Sequence, residues 1–537
     1  MKDLKSNKKL IFGVLFLVVI FLGLNQMLPG QELAAKKSNK VPKQGKPFLS
    51  DKTPVEIEDM ISRLSGSVMF RLAKAYGITH VKGKDISKAS VPSKSASNRS
   101  FLSDRPVYAD PIYYEMNPSI AVRPNKPDTI VAGVYDGYYE FSWTQTSKDK
   151  GNTWYVYKTL PPRFSGDYTF RPIVRYSPDG KYVYVVYLSE RSDYSNIDVM
   201  MCRSKKDGVT WENPKVIFYG GDYDGDGYND WLDASWVDVH TYPSTSAANG
   251  YAYVTATVLE HDGGSEVLFR RCLNYGASVD GVLDYVYTSS PALLQGARAV
   301  GGLGGDVLWT YFFSSVGLNT TAGFYIGVSY LNNFGANWPS YNISTPAYSD
   351  YQLPYYLGPG AAYHTWWPGM FPSVAMTSSG VAYIAYAADP VSGSATEEDG
   401  DICMIKSPRP YTSWTPVQEF YESHAQGFPT VGTKKIAGGS FVFVAWEDHS
   451  HSDSGDNNYY DIFGYYPEQA NWFYPVPFRI TDFSSLSSYG YIGDHIDCSS
   501  SAVVTDRVIH VIWTDRSDKT SIYDYETDVY SDMIEIK

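Results

Sequence analysis

One unit recurs along most of this chain, and it limits the fold more than any other feature. A proline-marked strand start leads into an apolar strand, a turn, and a second strand that ends near an acidic residue. NPSIAVRPNKPDTIVAGVYDG begins at Asn117, FRPIVRYSPDGKYVYVVYLSER at Phe170 and FPSVAMTSSGVAYIAYAAD at Phe371. FPTVGTKKIAGGSFVFVAWEDHS begins at Phe428 and DCSSSAVVTDRVIHVIWTDRS at Asp497. Weaker copies cover Trp236 to Asp262 and Ala297 to Ser314. A third strand follows, often opened by Asp and a β-branched residue, as at Asp198-Val199, Asp401-Ile402, Asp461-Ile462 and Asp528-Val529. The period is roughly 50–75 residues, and Gly, Pro, Asn and Asp turns break the strands. A sheet of this size cannot bury both of its faces alone. Set around an axis, each sheet covers its neighbours. The chain is therefore expected to be an all-β β-propeller of four-stranded blades, seven by the number of copies, with six as the alternative.

A polar turn closing on tryptophan also repeats. SKDKGNTW runs from Ser147 to Trp154, and SKKDGVTW from Ser204 to Trp211. LNNFGANW, Leu331 to Trp338, is a degraded copy with Asn333 in place of Asp. Trp211 lies thirteen residues after Asp198, and Trp414 the same distance after Asp401. That spacing places the motif between the third and fourth strands of a blade. Ser and Asp side chains bond nearby backbone amides there, Gly permits the turn, and Trp packs between strands. The first task of the turn is structural.

These turns resemble the Asp-box (BNR) repeat, S-x-D-x-G-x-T-W, of the sialidase superfamily. Ser147, Asp149, Gly151, Thr153 and Trp154 match it, and in the second copy the Asp is displaced one place to Asp207. The likeness covers most of residues 104–537. It speaks for architecture more than activity, because non-catalytic proteins carry the same box. Sialidases also open their catalytic domain on an F/Y-R-I-P strand, similar to Phe170-Arg171-Pro172-Ile173 with the last two residues exchanged. Ser189-Glu190-Arg191 followed by Asp193 resembles the acidic/Arg pair and loop Asp that come next. The resemblance implies Arg171 as a carboxylate anchor, a bidentate task suited to guanidinium, and Asp193 as acid/base. Arg298 is the candidate for a further arginine and Glu260 for a carboxylate partner. The full arginine set and the Tyr–Glu pair of that family are not matched. Read without the resemblance, Arg171 is a strand-end arginine in an ion pair.

GGDYDGDGYNDWLD carries the sharpest chemical spacing. Asp222, Asp224, Asp226, Tyr228, Asp230 and Asp233 occupy positions 1, 3, 5, 7, 9 and 12 of a loop, with Gly227 at position 6. That is the ligand spacing of an EF-hand-type loop, with Asp replacing the final Glu. Tyr228 offers its carbonyl, and the five carboxylates would repel one another without a cation. The expected cofactor is Ca2+, bracing an insertion before the third blade; the alternative is a solvated acidic turn.

The N-terminus carries four lysines and then an apolar run from Leu10 to Leu24. Residues 1–30 are expected to be a signal peptide or, if uncleaved, a membrane anchor. Residues 31–103 are expected as linker, with a short helix at about 53–76 and a Ser/Lys-rich stalk. The propeller is assigned residues 104–537. Secretion or display at the cell surface follows, with membrane contact only through the N-terminal segment. Cys202, Cys272, Cys403 and Cys498 are scattered through strand-like segments and are expected as buried thiols, a Cys202–Cys272 bridge being the one conceivable pairing. With 45 Lys+Arg against 58 Asp+Glu, nucleic acid is excluded as a partner, since its binding needs a cationic face. The loop Tyr348 to Gly369 concentrates aromatics, and Trp366 and Trp367 could stack on sugar rings or cover a blade seam. The expected function is recognition of an extracellular glycan or glycoprotein, with glycoside hydrolysis as its catalytic form. The alternative is a non-catalytic, calcium-stabilised scaffold that binds protein.

Overall fold

The computed structural model describes residues 34–38, 41–48, 50–52, 105–108, 115–124, 126–137, 139–205, 207–240, 248–281, 283–288, 293–314, 324–332, 343–349, 371–388, 401–420, 426–436, 439–448, 459–466, 477–482, 484–486, 500–505, 508–515 and 528–535. Among them the strands form seven antiparallel sheets, each with four strands in line and some with additions at the edge. Blade 1 is Glu115–Val122, Ile130–Asp136, Phe141–Ser147 and Tyr155–Thr159. Blade 2 is Tyr168–Tyr176, Val183–Glu190, Ile197–Ser204 and Lys215–Phe218. Blade 3 is Trp231–Val239, Ala252–Leu259, Ser265–Leu273 and Leu283–Thr288. Blade 4 is Leu293–Gly301, Val307–Ser314, Phe324–Leu331 and Ile343–Ser349. Blade 5 is Ser373–Met376, Ala382–Ala388, Asp401–Ser407 and Thr415–Phe420. Blade 6 is Gln426–Ile436, Gly439–Asp448, Tyr459–Tyr465 and Phe478–Arg479. Blade 7 is Ser500–Thr505, Val508–Asp515, Asp528–Glu535 and, from the other end of the chain, Arg105–Tyr108. First strands touch from each blade to the next and from blade 7 back to blade 1, so the fold is a closed β-propeller.

Burial explains the composition of the strands. Val183–Glu190 and Ala252–Leu259 are buried along their whole length, because each sheet is covered on both faces by its neighbours. Such strands need apolar or satisfied residues at every position. Trp143, Trp231, Trp309, Trp446 and Trp513 are fully buried in this way. Each removes enough apolar surface from water to be worth about 2–3 kcal/mol.

The first strands share a feature that their sequences conceal. Asn117, Arg171, Ala234, Gly296 and Phe428 all adopt left-handed backbone, with φ between 49 and 63°. At each of them the ladder to the second strand slips, as between Phe170 and Ile173 or Asp233 and Trp236. These are β-bulges, which bend the strand and re-aim its side chains. Four of the five residues are not glycine, so packing between blades must hold the conformation in place.

Part of the segment expected as linker is bound to the propeller. Ala34–Ser38 adds an outer strand to blade 3 beside Leu283–Thr288. Further along, the Asp222 amide donates to the Lys43 carbonyl at 2.7 Å and the Asn229 amide to the Lys46 carbonyl at 2.7 Å. Phe48 is buried against Trp231, ring centres 5.6 Å apart. One apolar side chain and two backbone ladders hold this arm, and the Lys-, Pro- and Gln-rich composition hides them. The Leu10–Leu24 run and the helix expected at about 53–76 lie outside the described residues. No helix among the described residues is long and apolar enough to cross a membrane. Cys202, Cys272 and Cys403 are buried and in no disulfide, so the Cys202–Cys272 bridge is absent; Cys498 lies outside the described residues.

Candidate functional site on the upper face

Strand register separates the two ends of the propeller. Tyr168 pairs with Glu190, and Glu190 with Ile197. The starts of first strands and the ends of second strands therefore share one end, called here the upper face. The opposite end carries the repeated turns. In blade 1, Ser147 Oγ accepts the Gly151 amide at 2.8 Å, and the Asp149 carboxylate accepts the Thr153 amide at 2.9 Å and its hydroxyl at 2.6 Å. In blade 2 the displaced Asp207 instead receives Arg123 at 3.2 Å and the Tyr176 hydroxyl at 3.0 Å. Trp211 donates to Thr144 Oγ1 of blade 1 at 2.9 Å. The first copy closes on itself and the second ties two blades together.

Arg171 stands at the bulge of blade 2, buried to 2% exposure, and its Nη1 lies 3.3 Å from Asp233 of blade 3. Asp233 was assigned above to position 12 of the acidic loop. It lies instead within the first strand of blade 3, because that strand begins at Trp231 and carries Asp233 into the blade interface. Arg298 is also buried, its guanidinium 3.9 Å from the ring centre of Trp236, while Arg175 lies 4.9 Å from the same ring. Asp238, 3.9 Å from Arg175, has its carboxyl pushed up to about 6 by burial, against the pull of that arginine. Both predicted arginines are thus built into interfaces between blades.

The two predicted carboxylates stand on different blades. Asp193 is exposed in the turn between the second and third strands of blade 2, and accepts the Ser195 amide at 3.0 Å. That hydrogen bond holds its carboxyl below the ordinary range, which suits a turn cap better than a general acid. Glu260 follows the second strand of blade 3, buried among acidic side chains. Burial, with Glu266, Asp262, Asp230 and Asp224 around it, pushes its carboxyl up to about 9. Trp366 and Trp367 lie outside the described residues.

The acidic loop is ordered by its own side chains. Asp222 accepts the Gly225 and Gly227 amides, at 2.5 and 3.1 Å; Asp224 accepts Asp226 at 2.9 Å, and Asp226 accepts Tyr228 at 2.7 Å. Oxygens of Asp222, Asp224 and Asp226 come within 4.8 Å of one another. Asp230 turns inward, accepting the Tyr223 and His261 amides at 2.6 and 3.1 Å, and burial raises its carboxyl to about 8. Tyr228 stacks on His261 at 4.0 Å, and His261 bridges Asp226 and Asp51 of the N-terminal arm, at 3.0 and 2.9 Å.

An aromatic and arginine surface crosses the same face, and no sequence motif announced it. Phe164 and Tyr219 are 41% and 37% exposed. Arg191 lies 3.9 Å from the Phe164 ring centre; Arg163 lies 4.9 Å from that ring and 5.0 Å from Tyr219. Arg163 is held by Asp198 at 2.5 Å. Tyr168 and Tyr194 stack beside it at 6.0 Å, and Tyr139, 49% exposed, stands on the adjoining loop of blade 1. These residues come from loops that read as ordinary connections. The usable signal was the clustering of Arg, Phe and Tyr at upper-face loop positions, which requires the register to be known.

No family model matches the chain, and no curated protein does. Solved structures do. An α-L-arabinanase of Penicillium chrysogenum, complexed with arabinobiose, aligns at 13% identity over 68% of this chain and 98% of its own, with TM-score 0.44. The GH93 α-L-arabinofuranosidase of Fusarium graminearum, with arabinobiose, aligns at 11% identity over 81% and 98%, with TM-score 0.42. The endosialidase of phage phi92 aligns at 12% identity over 81% and 70%, with TM-score 0.43.

Proposed function

We propose that the chain recognises an extracellular glycan on its upper face, across the loops of blades 1 and 2. The observation that carries this reading is the exposed Phe164–Tyr219 pair set against Arg163 and Arg191. Aromatic faces stack on the apolar faces of sugar rings, and guanidinium groups pair with sugar carboxylates. An acidic sugar is the favoured class. Arg171 is not the anchor in this reading, because Asp233 engages it in a buried pair. Hydrolysis by Asp193 and Glu260 is not favoured either: they stand on separate blades, one capping a turn and the other inside an acidic cluster.

Calcium belongs to the same reading. Asp222, Asp224 and Asp226 offer hard oxygen donors in a loop whose Gly227 takes φ 94°, as Ca2+ loops require. The ion would brace the loop that follows Tyr219. In this reading the N-terminal apolar run, Leu10 to Leu24, is an export signal or anchor and the protein works outside the cytoplasm or at the cell surface.

The test is binding of the full chain to an array of sialylated, uronate-bearing and neutral oligosaccharides, with fluorogenic sialosides and other glycosides assayed alongside. Phe164→Ala and Arg163→Ala are each expected to weaken the strongest ligand by at least about tenfold. No ligand on any array, with a folded protein, would sink this reading and leave the protein-binding scaffold. Turnover that survives both substitutions would move the site elsewhere.

A further inference from the structure

Glu260 is 7% exposed, and no hydrogen bond or ion pair to its side chain is found among the described residues. Its neighbours are Asp224 of the acidic loop and Asp262 of its own turn, with carboxylate oxygens of all three within 4.8 Å of one another. A carboxyl taken out of water either keeps its proton or needs a cation or a donor to replace the hydration of its charged form. Here the surrounding groups are further carboxylates. Oxygens bound to one calcium ion lie 2.3–2.6 Å from it, so they stand up to about 5 Å apart. The three carboxylates have that spacing before any ion is bound. Asp224 is also the middle member of the loop group Asp222, Asp224 and Asp226.

We propose that Asp224, Glu260 and Asp262 form a divalent-cation site of their own, with calcium the ion that oxygen donors of this number and charge select. Asp224 then bridges two cations, one inside the loop and one between the loop and the turn at the end of the second strand of blade 3. The second cation supplies the anchor that Asp233 does not. It ties the loop to the body of blade 3, where the loop already holds the N-terminal arm through Lys43 and Lys46. For function this means that calcium fixes the loop that continues from Tyr219, a consequence that rests on the glycan reading; the site itself does not.

The experiment is a calorimetric titration of the EDTA-treated, desalted full chain with CaCl2, on the wild type and on Glu260→Gln, Asp262→Asn and Asp222→Asn. The wild type is expected to bind two equivalents. Glu260→Gln and Asp262→Asn are expected to lose one equivalent, or to weaken it at least tenfold, while Asp222→Asn weakens the other. Without calcium, Glu260→Gln is expected to melt no lower than the wild type, since it puts a neutral amide of the same shape where a carboxyl is buried among other carboxyls; that control shows the variant folds. Unchanged stoichiometry and affinity in Glu260→Gln and Asp262→Asn, with loss only in Asp222→Asn, would overturn the site and leave the loop calcium and the glycan reading intact. Calcium binding as expected beside an empty glycan array would do the reverse.

Discussion

At the scale of the residue, Arg171 shows how one side chain changes meaning once its partner is known. A free guanidinium at a funnel mouth is a ligand anchor. One at 2% exposure, 3.3 Å from a carboxylate that is itself 1% exposed, is half of a buried ion pair. Removing one member leaves the other charged and unsolvated, at a cost of about 3–5 kcal/mol. Arg171→Ala is therefore expected to lower the urea midpoint by that amount of stability, whatever ligand is present. The double variant Arg171→Met, Asp233→Leu should recover most of it. A loss below about 1 kcal/mol in the single variant would mean that the pair is not desolvated as described. Any loss of binding in Arg171→Ala has to be read beside its unfolding curve.

Elements owe their positions to close approaches more than to propensity. The N-terminal arm has no helix or strand pattern strong enough to dock it by itself. What it has is Gly45, whose amide donates to Asn229 Oδ1 at 2.6 Å. A Cβ on Gly45 would lie 2.5 Å from the Tyr228 carbonyl carbon and 2.8 Å from the Asn229 nitrogen, against backbone that cannot move aside cheaply. Gly45→Ala is expected to release residues 41–52 while the propeller stays folded. Hydrogen exchange should then rise at Lys46, Asp222 and Asn229, whose amides are bonded across this junction, and not in the core strands of blades 4 to 7. Protection unchanged at those three amides would show that the arm is held by Phe48 and the outer strand alone.

For the whole molecule, buried histidines set a limit on acid stability. His240 and His510 are 1% and 2% exposed, and burial lowers their pKa to about 4 and about 3. The unfolded chain takes up protons at each near pH 6.5, while the fold holds both rings neutral. The contribution of each ring is therefore full above that pH and is lost as the pH drops from about 6.5 toward about 4 for His240 and about 3 for His510. The slope is at most about 1.4 kcal/mol per pH unit for each ring. Urea unfolding measured from pH 7 to pH 4 on the wild type and on His510→Gln isolates one ring: the wild type is expected to lose stability relative to the variant by up to about 1.4 kcal/mol per pH unit as the pH falls. An identical slope in that variant would mean that His510 titrates normally in the fold. Ring closure makes the loss global, because blade 7 is completed by Arg105–Tyr108 and the first and last strands of the propeller must stay paired.

The sequence by itself determined the repeat, and with it the propeller, because each copy is a local pattern of strands and turns that reads the same in every blade. It also determined the ordering of the Asp222–Asp226 loop, which depends on residues close in the chain. Only the tertiary structure decided what long-range pairing controls. Asp233 left the loop because a strand starts two residues before it, and Glu260 joined the loop from 36 positions beyond Asp224. Arg171 met a partner 62 residues away on the next blade. The five bulges fall at one level of the ring on five different residue types, Asn, Arg, Ala, Gly and Phe. No local propensity selects that conformation for such a set, so the packing of blade on blade does.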